Sequence, residues 1–233
     1  MRVYDEATKT LTSELRSGSG YGANATSGHS NRIFSCKWVP GDDNVLLSGG
    51  WDNTVQVWDL RAGRSVRSLF GPHLCGDALD VDGNGNILTG SWRPTAPLEL
   101  WDMGTGELIE AVDWSSSVLQ SQPCLLYAAQ FSALGGGSRF IAAGGSGANE
   151  ARVFDRHADN ALVGTVAGLA RGVFTVSFAP PQPDAPDAPP RLAVAGGDAS
   201  IRIIDVVDKV SPGAVEPAEA EGASEPEATA TLA

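Results

Sequence analysis

A short signature recurs five times along the chain and constrains the fold more than any other feature. Each copy consists of a branched apolar residue, an aromatic or apolar residue, and an aspartate. The copies are Val3-Tyr4-Asp5, Val57-Trp58-Asp59, Leu100-Trp101-Asp102, Val153-Phe154-Asp155 and Ile203-Ile204-Asp205. Their aspartates are 54, 43, 53 and 50 residues apart. Self-similarity at such a period indicates a repeat architecture, in which neighbouring units bury a shared core.

Short apolar segments and tight turns fill the space between these signatures. The last four copies follow the small-residue turns LLSGGWDNT, ILTGSWRPT, IAAGGSGAN and LAVAGGDAS. Further upstream lie apolar runs such as IFSCKW at 33–38, LLYAAQF at 125–131 and VFTVSFA at 173–179. Short runs bounded by Gly, Asp, Asn and Pro, with no helical period, predict β-strands. The sequence therefore predicts an all-β protein with no helical second domain.

These features make residues 1–206 resemble a WD-repeat β-propeller, in which four-stranded blades surround a central channel. The strands of each blade are labelled a to d, running outward from the channel. The clearest unit spans 28–59, from Gly28-His29 to Trp58-Asp59. The resemblance implies a partial blade at 1–27 and blades at about 28–70, 71–112, 113–166 and 167–206. The remaining residues, 207–233, form an acidic Ala/Pro/Glu-rich tail, which we expect to be disordered.

The resemblance also implies a buried hydrogen-bond network within the blades. In blade one its members would be His29, Ser48, Asp52 and Trp58. A buried polar group needs a partner, so a fully satisfied network would fix the blade. The other blades keep only part of this set, namely Thr89 and Trp101 in blade two and Asp198 in blade four.

The resemblance also implies that partners bind the top face of the propeller, where the b–c turns and the d–a connections lie together. Trp51 lies in such a turn of blade one, and Trp92 holds the matching place in blade two. Tryptophans in surface turns are typical interface anchors. We therefore predict a partner-binding surface that includes Trp51, Trp92, Arg32 and Phe34. Phe34, Tyr127 and Phe174 hold equivalent strand-a positions, for which core packing is the favoured expectation over the channel mouth.

Two further resemblances give alternative functions. The segment Leu47 to Arg61 resembles the box by which WD-repeat substrate receptors dock onto the cullin ubiquitin-ligase adaptor, with Asp52, Trp58, Asp59 and Arg61 at its key positions. All of these except Arg61 also belong to the ordinary repeat pattern. The stretches GPHLCGDALD and ILTGSWRPTAPLELWD resemble WD proteins of ciliated unicellular eukaryotes, which implies a structural component of a ciliary axoneme.

The sequence offers no motif for catalysis, a cofactor or a metal. It lacks GxSxG, a P-loop and HExxH, so we expect a non-enzymatic scaffold without a cofactor. The run from Asp80 to Gly85 matches the first half of a calcium loop, but Ser91 stands where a bidentate Glu is needed, which favours a plain hairpin turn. Three cysteines without a CxxC pair, Cys36, Cys75 and Cys124, predict buried thiols in a reducing compartment.

The charge narrows the range of partners. The formal net charge is −12, which argues against nucleic acid and anionic membranes, because both attract a basic face. No apolar stretch approaches the length of a membrane-spanning helix, and the first ten residues lack the apolar core of a signal peptide. We expect protein partners and a cytoplasmic location, with a cilium or flagellum axoneme as the alternative.

The number of blades predicts an open ring. The first ten residues supply only strand c and part of strand d, about four blades follow, and the family usually has seven. We expect upstream coding sequence to supply the missing blades, and the uncovered blade flanks to cause self-association. The alternative is a smaller ring, closed by pairing of Arg2–Asp5 and Thr8–Leu15 with the strand around Ile201–Asp205.

The predicted class can be tested by far-UV circular dichroism of the purified chain. We expect a spectrum dominated by β-structure, because every repeat unit reads as short strands and turns. Substantial helical ellipticity would contradict the propeller interpretation.

Overall fold

A computed structural model describes residues 1–15, 28–114, 122–132, 138–181, 184 and 188–207, and the structural statements below concern these residues. The strands are β1 (Arg2–Tyr4), β2 (Leu11–Glu14), β3 (Ile33–Val39), β4 (Asp42–Gly50), β5 (Thr54–Asp59), β6 (Arg64–Phe70), β7 (Leu79–Val81), β8 (Asn86–Gly90), β9 (Leu98–Asp102), β10 (Leu108–Ala111), β11 (Cys124–Phe131), β12 (Phe140–Gly147), β13 (Ala151–Asp155), β14 (Ala161–Val166), β15 (Val173–Phe178), β16 (Arg191–Gly196) and β17 (Ile201–Asp205). A single 3-10 turn follows β13 at Arg156–Ala158. The described part of the chain holds no helix with the length and apolar character to span a membrane.

Consecutive antiparallel strands form separate sheets. Strands β3–β6, β7–β10 and β11–β14 make three four-stranded sheets, which we call blades one, two and three. Strands β15–β17 make a three-stranded blade four, and β1 and β2 make an N-terminal hairpin. The predicted all-β class is confirmed. Pairing of the N-terminal strands with Ile201–Asp205 is not formed, since β17 pairs with β16 and β1 with β2. The predicted disordered tail lies outside the described residues except for its first position.

The pairing register is the same in the four blades, so their positions can be matched. In each blade the signature aspartate of strand c lies opposite the matching residue of strand b. These pairs are Val45 with Asp59, Asn86 with Asp102, Phe140 with Asp155 and Arg191 with Asp205. A residue in one blade therefore identifies its counterpart in the other three.

The hydrophobic core lies in the junctions between neighbouring blades. One apolar cluster joins Val57 of blade one to Leu79 and Trp101 of blade two. A second joins Leu100 of blade two to Ala129 of blade three. Blades three and four share the third cluster, which includes Val153 and Val176 among others. Burying a Val or Leu side chain contributes about 1.5–3 kcal/mol, so each junction adds substantially to stability.

Glycine in strand b allows the next blade to approach closely. A Cβ at Gly90 would lie 3.2 Å from the Cβ of Ala129 in blade three, and one at Gly144 would lie 2.6 Å from a methyl of Val173 in blade four. Both glycines belong to the set that matches Gly49 of blade one. At the matching place in blade four the residue is Ala195.

The first flank, defined as Ile33, Cys36 and Trp38 of strand β3, is exposed. Trp38 alone has 54% of its surface exposed. The matching apolar residues of later blades are buried in the junctions: Leu79 and Val81; Leu126, Ala129 and Phe131; Val173, Val176 and Phe178. The expectation of buried thiols is therefore wrong for Cys36, because no described strand covers this part of blade one. Cys124, by contrast, is buried, and burial raises the pKa of its thiol to about 12.

The last flank, defined as Ile201 and Ile203 of strand β17, is exposed in the same way. Ile201 is 72% and Ile203 60% exposed. Their counterparts on strand c of the other blades are buried: Val55 and Val57, Leu98 and Leu100, and Ala151 and Val153. The exposed apolar positions at the two ends are thus junction positions that none of the described blades covers.

The N-terminal hairpin covers the outer part of blade one. Leu15, with Met1 and Val3, packs on Leu46 and Trp58. The hairpin therefore occupies the place that the outer strands of a preceding blade would take, while the first flank beside it stays open.

Candidate protein-interaction face

Blade one contains a closed polar network between its strands and its turns. The His29 ring places Nδ1 2.8 Å from Oδ2 of Asp52 and Nε2 2.7 Å from Oγ of Ser48. Trp58 donates its indole N–H to the same Ser48 oxygen at 2.7 Å. Thr54 donates to Asp52 at 2.9 Å. The network ties the entry to strand a, strand b, the b–c turn and strand c into one unit.

The environment of Asp52 keeps its carboxyl group ionised. Burial raises the pKa of Asp52, but hydrogen bonds from His29, from the Ser30 backbone N–H and from Thr54 outweigh that effect. The net pKa is below the ordinary value of 3.8. The charged form of Asp52 is therefore the form that holds the turn together.

Blades two and three contain fewer members of this network. Neither blade has a polar side chain without a partner at the positions of Ser48 and Trp58. In blade two, Trp101 donates to Thr89 at 3.1 Å, while His73 lies outside this pair. In blade three the positions of Ser48 and Trp58 hold Ala143 and Phe154, which carry no polar side-chain atom. Replacing both partners by apolar groups avoids the cost of a buried unpaired donor.

Asp198 of blade four lies in a different arrangement from that of Asp52. Its carboxylate accepts from Arg202 at 2.7 Å and from Ser200 at 2.8 Å. The hydrogen bond from Arg202 and the one from Ser200 lower the pKa of Asp198 to about 2. The positions of Ser48 and Trp58 are Val194 and Ile204 here, so Asp198 forms a local turn contact rather than part of a four-residue chain.

Sequence reasoning missed a polar position in the middle of strand c. The residue two places before the aromatic member of the signature is polar in all four blades: Gln56, Glu99, Arg152 and Arg202. Each pairs within its own blade, with Thr54, Arg93, Glu150 and Asp198 respectively. The signal was present, because a polar residue between two apolar strand residues recurs in every repeat.

The most deeply buried of these pairs lies in blade three. Glu150 and Arg152 approach to 3.0 Å, and both side chains are almost fully buried. Trp114 donates to Glu150 at 3.1 Å, and the Arg152 guanidinium lies 5.0 Å from its ring centre. The two charges therefore compensate each other within the blade, whereas loss of one member would leave an uncompensated buried charge.

Trp51 forms the centre of an aromatic platform on the top face. We define the platform as Arg32, Phe34, Trp51 and His73. The Trp51 ring lies 5.1 Å from the Phe34 ring, 6.5 Å from the nearly parallel His73 ring and 5.4 Å from the Arg32 guanidinium. Its indole N–H donates to the sulfur of Cys75 at 2.8 Å. Trp51 is therefore fixed in place, although 37% of its surface is exposed.

Trp92 extends this surface into blade two. Its backbone N–H donates to the carbonyl of His73 at 2.8 Å, as the Trp51 N–H does to that of Arg32 at 3.0 Å. Trp92 is 40% exposed. The matching residues of blades three and four are Ser146 and Gly197, so the tryptophan surface is confined to blades one and two.

The expectation that Phe34, Tyr127 and Phe174 pack in the core is wrong for the two phenylalanines, which are exposed. All three residues sit at register shifts between strands a and b, where a bulge turns the side chain away from the junction. Tyr127 and Phe174 contact each other edge to face at 5.2 Å. Strand a of blades one, three and four thus carries an aromatic residue at its bulge.

The residues of the ligase-adaptor box divide into two groups. Asp52 and Trp58 are buried in the blade-one network. Arg61 is exposed, and its guanidinium lies 3.1 Å from Asp59 and 3.6 Å from Asp42. Only Asp59 and Arg61 are therefore placed to contact another molecule directly.

The calcium-like run forms a hairpin turn between β7 and β8. Asp82 accepts from the backbone N–H groups of Asn84 and Asn86 and pairs with Arg156 of blade three at 3.0 Å. Asp80 accepts from the N–H of Phe131 at 2.8 Å. Protein donors thus engage both carboxylates. Among the described residues no group of His, Cys, Asp and Glu side chains is placed to hold a metal ion.

Comparison with known proteins supports the repeat interpretation. The family model "WD domain, G-beta repeat" matches residues 23–59. Protein tipD of Dictyostelium discoideum is 26% identical over 103 residues, 44% of this chain and 16% of its own length. The Integrator complex assembly factor WDR73 of Mus musculus is 30% identical over 88 residues, 35% of this chain and 24% of its own. A ribosome biogenesis protein WDR12 homolog of Brugia malayi is 29% identical over 99 residues, 40% of this chain and 22% of its own.

Two solved structures share the fold. The computationally designed Ika4 protein aligns with a TM-score of 0.58 and 19% identity, covering 77% of this chain and 94% of its own. The designed Ika8 protein aligns with a TM-score of 0.58 and 17% identity, covering 88% of this chain and 52% of its own.

The recurring four-stranded blades, the blade-one network and the family match define a WD-repeat β-propeller protein. The chain is similar to WD-repeat proteins, and its residues 23–59 match the family model of the repeat. It spans between a sixth and a quarter of the length of these curated relatives.

Substitution of Asp52 by Asn tests the charged network. We expect Asp52→Asn to lower the free energy of unfolding by about 1–3 kcal/mol at pH 7, because buried donors lose a charged acceptor. A carboxyl whose folded-state pKa is depressed stabilises the fold above its unfolded pKa and loses that effect as the pH falls through the folded pKa. The cost of the substitution should therefore shrink below about pH 4, as measured by urea unfolding from pH 7 to pH 3.

The matched control for this experiment is Asp43→Asn at an exposed carboxylate in strand b of the same blade. It should change the free energy of unfolding by less than about 0.5 kcal/mol throughout. An Asp52→Asn cost that stays constant from pH 7 to pH 3 would contradict the role of the ionised carboxylate.

A double-mutant cycle tests the Thr89–Trp101 pair of blade two. Thr89→Val leaves the Trp101 indole N–H buried and unpaired, so we expect it to cost about 1–3 kcal/mol of stability. The same change in a Trp101→Phe background should cost clearly less, because the donor is gone, as it is in blade three. Equal costs in both backgrounds, measured by urea unfolding, would show that the hydrogen bond adds nothing.

Proposed function

We propose that this chain is a non-enzymatic scaffold that binds a partner protein on its top face, through the aromatic platform and Trp92. The observation that carries the proposal is the fixed, half-exposed Trp51, held between Phe34, His73 and Arg32. WD-repeat relatives described as an assembly factor and as a biogenesis protein support a role in protein complexes.

Preorganisation makes the platform suitable for binding. An exposed tryptophan with several neighbouring contacts loses little conformational freedom when a partner packs on it. Large aromatic residues and arginine carry much of the energy of protein interfaces, and they do so from rigid, central positions. Trp51 meets both conditions, while its hydrogen bond to Cys75 fixes the orientation of the ring.

The charge around Trp51 indicates the chemistry of the partner. Arg32 lies over the Trp51 ring, and among the described residues no carboxylate lies within ion-pair distance of it. A partner segment with an apolar or aromatic side chain beside a carboxylate would satisfy both groups. We therefore propose a protein partner rather than nucleic acid, whose phosphates would meet a chain of net charge −12.

Affinity capture with the tagged full chain tests the top-face proposal. We expect Trp51→Ala to lose the proteins retained by the wild type, because Trp51 is the centre of the platform. The control is Leu162→Ala, an apolar residue of similar or greater exposure on the outer strand β14. Quantitative mass spectrometry should show the same set for wild type and Leu162→Ala. Retention of that set by Trp51→Ala would overturn the proposal.

The ubiquitin-ligase receptor is a second candidate, favoured by the exposure of Arg61 beside Asp59. Arg61→Ala should leave stability nearly unchanged, since exposed ion pairs contribute about 0–1 kcal/mol. In the receptor case it should abolish co-purification of the cullin adaptor with the full chain. Absence of the adaptor from the wild-type sample would eliminate this candidate. The cytoplasmic location and the axonemal alternative stay predictions.

A further inference from the structure

The two ends of the described arc carry complementary apolar surfaces. Each internal junction buries strand-c residues of one blade in the same apolar cluster as strand-a residues of the next, as for Leu100 with Ala129 and Val153 with Val176. The last flank holds exposed counterparts of these strand-c residues. The first flank holds exposed counterparts of these strand-a residues. Together the two flanks contain the inner parts of one more junction.

The N-terminal hairpin shows how the outer part of that junction would form. Strand β1 carries Val3-Tyr4-Asp5, the same signature as Ile203-Ile204-Asp205 in β17. Val3 pairs with Ser13 of β2 and packs on the cluster of Leu46 and Trp58. By this match, Ile203 can take the place of Val3 on blade one, with β17 lying beside β2.

The number of strands in each blade fits such an exchange. Blade four has strands a, b and c but no described strand d, whereas β2 is an outer strand whose partner β1 is only three residues long. Without β1, the sixteen other strands of the described residues suffice for four complete blades.

We propose that two copies of this chain join head to tail by strand exchange. Strand β17 of one copy displaces β1 of its partner and pairs with β2 of the partner, completing blade four. The last flank then covers the partner's first flank, and the reciprocal contact closes a ring of two chains and eight blades. A head-to-tail interface of this kind is limited to two copies only when the ring closes. The occupant of both flanks is thus a second copy, independently of what binds the top face.

Matched positions identify where the two copies would touch. The contact between Gly90 and Ala129 at the junction of blades two and three corresponds to Ala195 against Cys36. Ala195 carries a methyl group where the other blades have glycine, so the strands at this point must separate by a few tenths of an ångström. A cysteine at 195 would then lie at the Cβ separation that a disulfide needs, roughly 3.5–4.5 Å.

Disulfide trapping of the full chain tests the arrangement. We expect Ala195→Cys, oxidised at micromolar concentration, to give a covalent dimer of twice 24.1 kDa, with peptide mapping linking Cys36 to position 195. The variant Ala195→Cys/Cys36→Ser should give none. Two other results would overturn the proposal: a link between these positions within one 24.1 kDa chain, or a monomer with both thiols free.

Mixing of two variants tests the head-to-tail polarity. Ile203→Glu and Trp38→Glu each place a charge on one exposed flank, so each variant should be monomeric by light scattering with an unchanged circular dichroism spectrum. Their mixture should contain a one-to-one dimer, because the intact last flank of one meets the intact first flank of the other. Leu162→Glu, at an outer-strand position with 52% exposure, should behave as the wild type. A monomeric wild type, a dimeric Ile203→Glu or a mixture that stays monomeric would each contradict the proposal.

Discussion

Burial of one blade against the next is the interaction on which the rest of this structure depends. A single four-stranded sheet of this size has apolar residues on both faces and no core of its own. The junction clusters supply that core, for example the cluster that contains Val57, Leu79 and Trp101. Stability in such a stack is the sum of unit and neighbour terms. Trp38, Ile201 and Ile203, whose counterparts in the other blades are buried, accordingly lie exposed at the two ends of the arc.

The polar network that marks the repeat in the sequence has a secondary role. Blade one holds all four members, and blade three holds apolar residues at the Ser48 and Trp58 positions, yet both form complete four-stranded sheets with the same register. The junction therefore determines the fold, while the network fixes the turn and strand positions where it is present. Paired replacement by Ala143 and Phe154 shows how a blade can lose the hydrogen bond without burying an unpaired group.

The sequence was informative where a local pattern determines the structure. The strand-c signature predicted the repeat and the fold class, and the family resemblance implied the network positions of His29 and Asp52. It was less informative where structure depends on pairing between strands. The exposure of Phe34 follows from a bulge in the register of β3 and β4, which no local pattern reveals. Exposure of Cys36 depends on a neighbour that the described chain does not contain. The partners of the mid-strand polar residues could not be predicted either, because their separation along the chain differs between blades. Arg93 precedes Glu99 by six residues, whereas Thr54 precedes Gln56 by two.

The mid-strand polar pairs bear on how the number of repeats can change during evolution. Gln56, Glu99, Arg152 and Arg202 differ in charge, yet each finds its partner inside its own sheet. A gene segment that encodes one unit therefore carries both members of its pair. Duplication or loss of such a segment would leave none of these four side chains without its counterpart, although a pair that crosses a junction, such as Asp82 with Arg156, would lose one member. What the new neighbours would have to match is mainly the size and shape of their apolar surfaces, a requirement that many hydrophobic residues meet.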